Sequence, residues 1–399
     1  MTEAVETQAA EEVLRHSPLE ESHAGAGARL VGREGWAVPA SYGDEAAEYE
    51  AVRGGDGAGL FDLSSRGRVE VSGAEAVQFL NGMLTNDVAR LEDGAWMDAA
   101  FPNPQGRLVA TARVLRQGGA FLIDTEPATA AAVRRWLERF VPAGDFRVRD
   151  LNAEDSSPGT ALISIQGARA AEVVGAALGG EASGVGRGRV VALPAGTEPQ
   201  PTLVIRATHT AEDGFDLFVG APSAASVWQS LVAAGARPAG HDALEVLRVE
   251  AGVPRYGADA SDSNVVLEVV DEGAAVSYTK GCYAGQEIIA RIHWRGHVAK
   301  RLTGVVFDRD AEPPSDSRLR DCAGGREAGL ITSTAFSPRL RRRVALALVK
   351  YDFLTPGTEL KVFAGDAEHC AAHVRGLPLV RGGWHADAPG EGAPAGESG

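Results

Sequence analysis

The sequence predicts an α+β protein of two or three domains that ends in a small β-barrel or sandwich. Three observations carry this. At 399 residues the chain exceeds one ordinary core, and it allows each of two or three domains to bury its own. Up to about residue 233, strands and helices alternate with antiparallel hairpins, unlike a regular doubly wound sheet. From residue 299 onward the helices stop, and short strands broken by turns take over.

The elements follow from periodicity. Residues 67–71 alternate as a strand, and Ser72-Gly73-Ala74-Glu75 resembles a helix start leading into an amphipathic stretch over 76–84. Residues 107–115 and 120–124 read as two strands joined by a Gln-Gly-Gly turn. A helix over 127–141 follows, with Ala131, Val133, Trp136, Leu137 and Phe140 on its apolar side. Strands over 162–166, 202–208 and 216–219 alternate with helices over 170–178 and 224–233. A helix is expected over 287–292. Beyond it come strands over 302–307, 327–332, 343–349, 359–363 and 369–374, which puts a boundary near residue 295. Residues 1–16 and 385–399 are small, polar and low in complexity, and are expected to be disordered tails.

Composition excludes several classes. Three cysteines, Cys282, Cys322 and Cys370, lack zinc spacing, so no metal site and a reducing compartment are expected. No apolar run approaches the 20 or so residues of a spanning helix, and the acidic N-terminus resembles no signal or transit peptide. The expectation is a cytoplasmic monomer with no membrane association. A net charge of -15 argues against nonspecific nucleic-acid binding by the whole surface. Only four of the 39 basic residues are lysines, Lys280, Lys300, Lys350 and Lys361, so each lysine invites a reason.

One of them stands in the most unusual stretch, Thr279-Lys280-Gly281-Cys282-Tyr283-Ala284-Gly285-Gln286-Glu287. With glycines allowing a tight entry, Cys282 could sit just before a helix N-terminus, where the helix end and Lys280 would favour thiolate. The bland alternative is a buried cysteine packed in a glycine-rich turn. The pieces Gly184-Val185-Gly186-Arg187-Gly188 and Gly25-Ala26-Gly27 only faintly echo a phosphate loop. Arg291, His293, Trp294, Arg295, His297, Lys300 and Arg301 form a basic, aromatic run without acids. A solvated interdomain linker is the default for it, and RNA or a partner's acidic surface is the alternative.

The stretch K-G-C-Y-x-G-Q-E resembles the hallmark of the YgfZ-type folate-binding proteins, bacterial relatives of mitochondrial iron–sulfur assembly factors that share the glycine-cleavage T-protein fold. The resemblance runs from Ser17-Pro18-Leu19 through Gly35-Trp36, residues 59–64 and Leu84-Thr85-Asn86-Asp87-Val88 to residues 247–257. It implies a three-domain ring around a central folate pocket, with a C-terminal β-barrel. The expected division is 17–105 with 240–295 as a discontinuous first domain, 106–239 as a second, ferredoxin-like domain, and 296–384 as the barrel. It also implies tetrahydrofolate, or a one-carbon derivative, as cofactor. Asn86, Asp87, Asp216, Glu250, Tyr283, Gln286 and Glu287 are the candidate pocket residues, and Cys282 with Lys280 the candidate reactive pair.

T-proteins that transfer an aminomethyl carbon carry an acidic pair where this chain has Ala110 and Thr111, which weighs against that reaction. A T-protein tyrosine appears as His209, a downstream acid survives as Asp216, and an arginine near the folate tail falls at Leu244. Asp216 is expected to bind the pterin amide edge by paired hydrogen bonds. Asn86 and Asp87 also read simply as a turn, and Arg248 and Glu250 as buried structural ion pairs with neighbours. The leading expectation is a tetrahydrofolate-binding accessory protein for iron–sulfur cluster assembly or repair, with client enzymes or assembly proteins as partners. The alternatives are a folate-dependent aminomethyltransferase and a factor associated with tRNA modification. Whether the chain is an enzyme stays open.

Overall fold

The structure, a computed structural model, describes residues 14–152, 159–194, 201–310, 312–314, 317–323 and 325–386. Most of both expected tails, 1–13 and 387–399, lies outside the described residues. The inner edges of those tails are ordered. Arg15 bridges to Trp36 and stacks over its ring at 4.2 Å, and the His385 N–H donates to the Gly382 carbonyl.

The chain opens with α1 (Glu20–Gly25), a hairpin of β1 (Arg29–Arg33) and β2 (Trp36–Ser41), and α2 (Glu45–Arg53). Asp44 starts α2 by accepting from the Ala47 N–H at 3.0 Å, and acidic residues fill its first turn. Next come β3 (Gly59–Asp62), β4 (Gly67–Ser72), α3 (Ala76–Met83), β5 (Ala95–Pro102), β6 (Leu108–Gln117), β7 (Ala120–Thr125), α4 (Pro127–Glu138) and β8 (Arg147–Asp150). Pro127 opens α4, where its missing N–H costs nothing. The run continues through β9 (Thr160–Gln166), α5 (Ala170–Leu178), α6 (Gly180–Ser183), β10 (Val190–Leu193), β11 (Thr202–Arg206), β12 (Gly214–Gly220), α7 (Ala221–Ala233) and β13 (Arg237–Pro238). It then forms α8 (His241–Ala251), α9 (Glu272–Ala275) and α10 (Gln286–Arg295). Gly252, at φ 77°, ends α8 in the left-handed conformation that glycine adopts without strain. The last strands are β14 (Lys300–Phe307), β15 (Arg318–Arg320), β16 (Glu327–Ser337), β17 (Arg342–Lys350), β18 (Glu359–Ala364) and β19 (Ala367–Arg375).

These strands make two antiparallel-rich sheets and a barrel. One sheet runs β5-β6-β7-β4-β8, the other β10-β11-β12-β9-β3-β13 with only β13–β3 parallel, and β14-β17-β16-β15-β18-β19 closes on itself. The fold is therefore α+β with a C-terminal closed six-stranded barrel. The expected division between 105 and 106 falls in the turn of the β5–β6 hairpin, where the Gly106 N–H donates to the Asn103 carbonyl. The chain does not part there because β5 and β6 share one ladder. Instead β3 leaves its sequence neighbour β4 and pairs with β9 in the other sheet.

Each sheet buries one face under helices. Val69, Phe121 and Ala112 meet Leu80 of α3 and Val133 and Leu137 of α4; Ile163, Phe215 and Leu217 meet Val173 of α5 and Trp228 of α7. A third cluster, with Phe61, Leu115, Leu162, Ile205, Phe218 and Leu247, joins the two sheets, which is why β12 is buried along its whole length. Val249, Leu267, Ile289, Leu302, Val344 and Leu379 seat the barrel against α8 and α10. Each such side chain contributes about 1.5–3 kcal/mol when fully buried. Among the described residues no helix is long and apolar enough to cross a membrane.

Candidate active site

A cavity of about 830 Å³ opens where β5, β6, the loop after β3, the turn before β12, α8 and the segments 253–258 and 269–275 converge. Its size is that of a small-molecule site, and junctions between packed units are where such sites form. Strand alternation delivers the chemistry on β6. Ala110, Ala112 and Val114 point into the core, so Thr111 and Arg113 face the cavity.

Polar groups line it on several sides. Glu126, just before α4, accepts from the Thr111 hydroxyl at 3.3 Å and the Tyr256 N–H at 2.8 Å. Burial raises its pKa, against the pull of Arg66. Asp98, on β5, opens onto the cavity with its side chain part-exposed, and the protein around it raises its pKa although Arg113, 4.0 Å away, opposes this. Arg66 is held by paired bonds to Asp124, at 2.8 Å from its Nε. Arg33 and Arg255, both part-exposed, are anchored at 2.8 Å to Asp242 and Glu245. Apolar walls come from Val38, Leu63, Leu244 and Val253.

One more cluster is centred on Asp216, behind the wall. Its carboxylate is fully buried, accepts from His209 Nε2 at 2.8 Å and from the Arg113 guanidinium, and does not line the cavity. Burial alone would raise its pKa, but His209 and Arg113 outweigh that and hold it below the usual carboxylate range. His209 does line the cavity. Burial lowers its pKa, with Asp216 opposing and Arg113 assisting, so the imidazole is neutral near pH 7.

This placement corrects several expectations. Asp216 does not reach the cavity where a pterin edge would lie: Arg113 and His209 both bond its Oδ2, and its Oδ1 is buried without a hydrogen-bond partner among the described residues. Glu250 is buried away from the cavity and accepts from Tyr49 Oη at 2.8 Å and Arg53 Nε at 3.0 Å. That pairing with Arg53, and that of Arg248 with Asp259 at 2.6 Å, are the buried structural ion pairs with neighbours that the sequence suggested for these two residues. Asn86 donates to the carbonyls of Asp98 and Ala274 at 2.7 and 2.9 Å, tying β5 to α9 behind the cavity wall, and Asp87 pairs with Arg90.

The K-G-C-Y-x-G-Q-E stretch lies outside the cavity altogether. Lys280 Nζ donates to the carbonyls of Asn81, Leu84 and Asn86 at 2.6, 2.7 and 2.7 Å, so it is not a partner for the thiol. Cys282 is exposed, and α10 is capped by Gly285, three residues later. Tyr283 packs its ring 4.9 Å from Lys280 Nζ; Gln286 begins α10, and Glu287 is exposed. A Cβ on Gly285 would lie 2.3 Å from the Asn103 carbonyl oxygen. The motif is a clamp that closes α10 onto the β5–β6 turn and the end of α3. Along the basic run, Trp294 is 71% exposed at the end of α10, and Arg301 lies 3.6 Å from Glu272. No group of His, Cys, Asp and Glu among the described residues could hold a metal ion.

Sequence reasoning passed over Arg66, Asp98, Arg113 and Glu126. The signal available was the alternation over 108–114, which puts Thr111 and Arg113 on one face. Nothing local marks Asp98 or Glu126.

Residues 19–279 match the GCVT N-terminal domain, and residues 300–380 match the glycine cleavage T-protein C-terminal barrel domain. An aminomethyltransferase of Rubrobacter xylanophilus is 34% identical over 336 residues, 84% of this chain and 87% of that protein. One from Geobacillus kaustophilus is 32% identical over 377 residues, 92% of this chain and 99% of that protein. The crystal structure of glycine cleavage system aminomethyltransferase T from Bartonella henselae superposes with a TM-score of 0.79 over 92% of this chain and 98% of that one. At 24% identity it speaks for the fold. These relatives overturn the expected role as an accessory of iron–sulfur assembly, since they are aminomethyltransferases over nearly their whole length. Neither iron–sulfur assembly nor tRNA modification appears among their names. The match over both the mixed sheets and the barrel means that this chain belongs to the glycine cleavage T-protein family.

Proposed function

We propose that the chain is a tetrahydrofolate-dependent transferase of the aminomethyltransferase class. The observation that carries this reading is the cavity: apolar walls enclose a volume of about 830 Å³, and polar groups of graded character converge on it. The residues suit a pterin with an anionic tail. Val38, Leu63 and Val253 offer apolar contact; Asp98 and Glu126, whose pKa values the surrounding protein raises, can accept from ring N–H groups. Arg33 and Arg255 supply cations where the tail carboxylates would lie, a role left open by Leu244.

Tetrahydrofolate, when bound, supplies the nitrogen that accepts the one-carbon unit. The protein's part is to exclude water, orient the ring and move protons. Ala110 and Thr111 leave β6 without a carboxylate at the positions where T-proteins carry their acidic pair. Here the cavity's carboxyls come from Asp98 on the neighbouring strand and from Glu126, to which Thr111 donates.

Calorimetry with tetrahydrofolate and an ammonia-release assay with an aminomethyl-loaded lipoylated carrier protein test the reading together. Saturable one-to-one binding and folate-dependent ammonia release are expected. A folded protein that binds no tetrahydrofolate would sink it.

A further inference from the structure

We propose that His209, set by Asp216, is the residue that moves the proton during transfer, in place of a carboxylate on β6. This rests on the transferase reading. The geometry is that of a base and its orienter. Asp216 is fully buried and accepts from His209 Nε2 at 2.8 Å, which places the imidazole proton on Nε2 and leaves the Nδ1 lone pair free. No hydrogen bond among the described residues occupies Nδ1, and His209 lines the cavity. The backbone holds the ring in place: the His209 N–H donates to Gln166 Oε1 at 3.1 Å, and Ala211, at φ 64°, turns the chain sharply two residues on.

Charged groups reach His209 from every side. Asp216 on β12 favours the imidazolium. Arg113 on β6, whose Nη1 lies 3.3 Å from His209 Nε2, and Arg66 after β3 disfavour it. Asp98 on β5 stands 4.0 Å from Arg113, and Asp124 on β7 neutralises Arg66. Burial and the two guanidiniums keep the ring neutral at pH 7 and ready to accept a proton.

In the step, His209 Nδ1 accepts the N–H proton of the attacking nitrogen as the new nitrogen–carbon bond forms. The bond between that carbon and its donor atom breaks, and its electron pair stays with the donor. Nδ1 then delivers the proton to the donor, so the ring ends neutral and no oxidant is needed. His209 is the catalytic residue here and Asp216 a positioning residue.

The test uses the full chain, with tetrahydrofolate and the aminomethyl-loaded carrier as probes. His209→Gln is expected to keep folate affinity within about threefold and to lose turnover about 100-fold or more, the usual worth of a general base. In the wild type, the acid-side midpoint of turnover should coincide with the titration midpoint of the His209 ring, read by NMR. Asp216→Asn should move both midpoints to lower pH together, because losing the negative charge disfavours the imidazolium. The wild-type comparison needs no variant to fold. An acid limb unchanged in His209→Gln, or wild-type midpoints that disagree, would overturn the proposal while leaving the transferase reading intact. So would turnover lost in Glu126→Gln and kept in His209→Gln. Absence of folate binding by the wild type would remove the transferase reading, and this inference with it.

Discussion

Lys280 places its ammonium among three backbone carbonyls, and that explains a rare lysine better than a reactive neighbour does. A compact three-donor head fits the carbonyls left open at the end of α3, where a planar guanidinium would not. Lys280→Met should therefore lower unfolding free energy by roughly 2–4 kcal/mol, from buried carbonyls left without donors. Cys282→Ser, at an exposed site, should stay within about 0.5 kcal/mol. Urea titration of both variants checks the pair. The Asp216–His209 cluster makes a prediction about acid. The Asp216 pKa lies below its ordinary 3.8, so the stability it contributes is present above that value and is lost as pH falls through the depressed one. The His209 pKa lies below its ordinary 6.5, so its neutral form stabilises the fold above that value, and this too is lost on acidification. Both signs agree. The Tm of the wild type should fall below about pH 6.5; in calorimetric scans His209→Gln should lose the upper part of that slope and Asp216→Asn the lower part. At this scale the sequence marked the right types and misjudged their neighbours. His209 and Asp216 were visible as an acid with a substituted tyrosine, but their bond to each other and to Arg113 was not.

Among the elements, those with clean periodicity were legible. The helix expected over 170–178 is α5, and the two strands joined by Gln-Gly-Gly are β6 and β7. The strand β5 was not, because its run Ala-Trp-Met-Asp-Ala-Ala-Phe-Pro shows no alternation: its second half is buried throughout. The short β13 and β15 carry too few residues for any period. The entry to α10 shows how one glycine positions an element. Gly285 has φ 74°, and a Cβ there would meet the Asn103 carbonyl oxygen at 2.3 Å, whereas one on Gly281 would meet nothing within 4 Å. Gly285→Ala should destabilise by about 2 kcal/mol or more, from the left-handed backbone and the clash with a carbonyl that cannot move aside. Gly281→Ala should be near neutral. Chemical denaturation of the two side by side separates a clamp from a merely flexible loop.

For the molecule as a whole, the barrel is fixed to the sheets through buried polar bonds as well as apolar contact. Arg248 of α8 bonds Asp259 at 2.6 Å and Ser333 of β16 at 2.7 Å, Asp259 accepts from Thr332, and Glu250 accepts from Ser337. Asp259→Ala leaves a buried guanidinium with one carboxylate fewer and should cost about 3–5 kcal/mol. Faster hydrogen exchange in β16 than in β18 would locate that loss at the junction; uniform exchange across the barrel would contradict it.

By itself, the sequence determined the α+β class, the change to strands near residue 300 and the T-protein likeness, all of which rest on runs of neighbouring residues. Strand texture alone left barrel or sandwich open, and the T-protein likeness implied the barrel that the last strands form; nothing in the sequence showed that β3 leaves β4 for the other sheet. Only the tertiary structure decided the site. Arg113 and Asp216 stand 103 residues apart, and Tyr256 and Glu126 stand 130 apart. No local pattern encodes such meetings, because they depend on the register of strands and the packing angle of sheets. The same physics turned a conspicuous motif into a clamp and left the chemistry to residues that look ordinary one at a time.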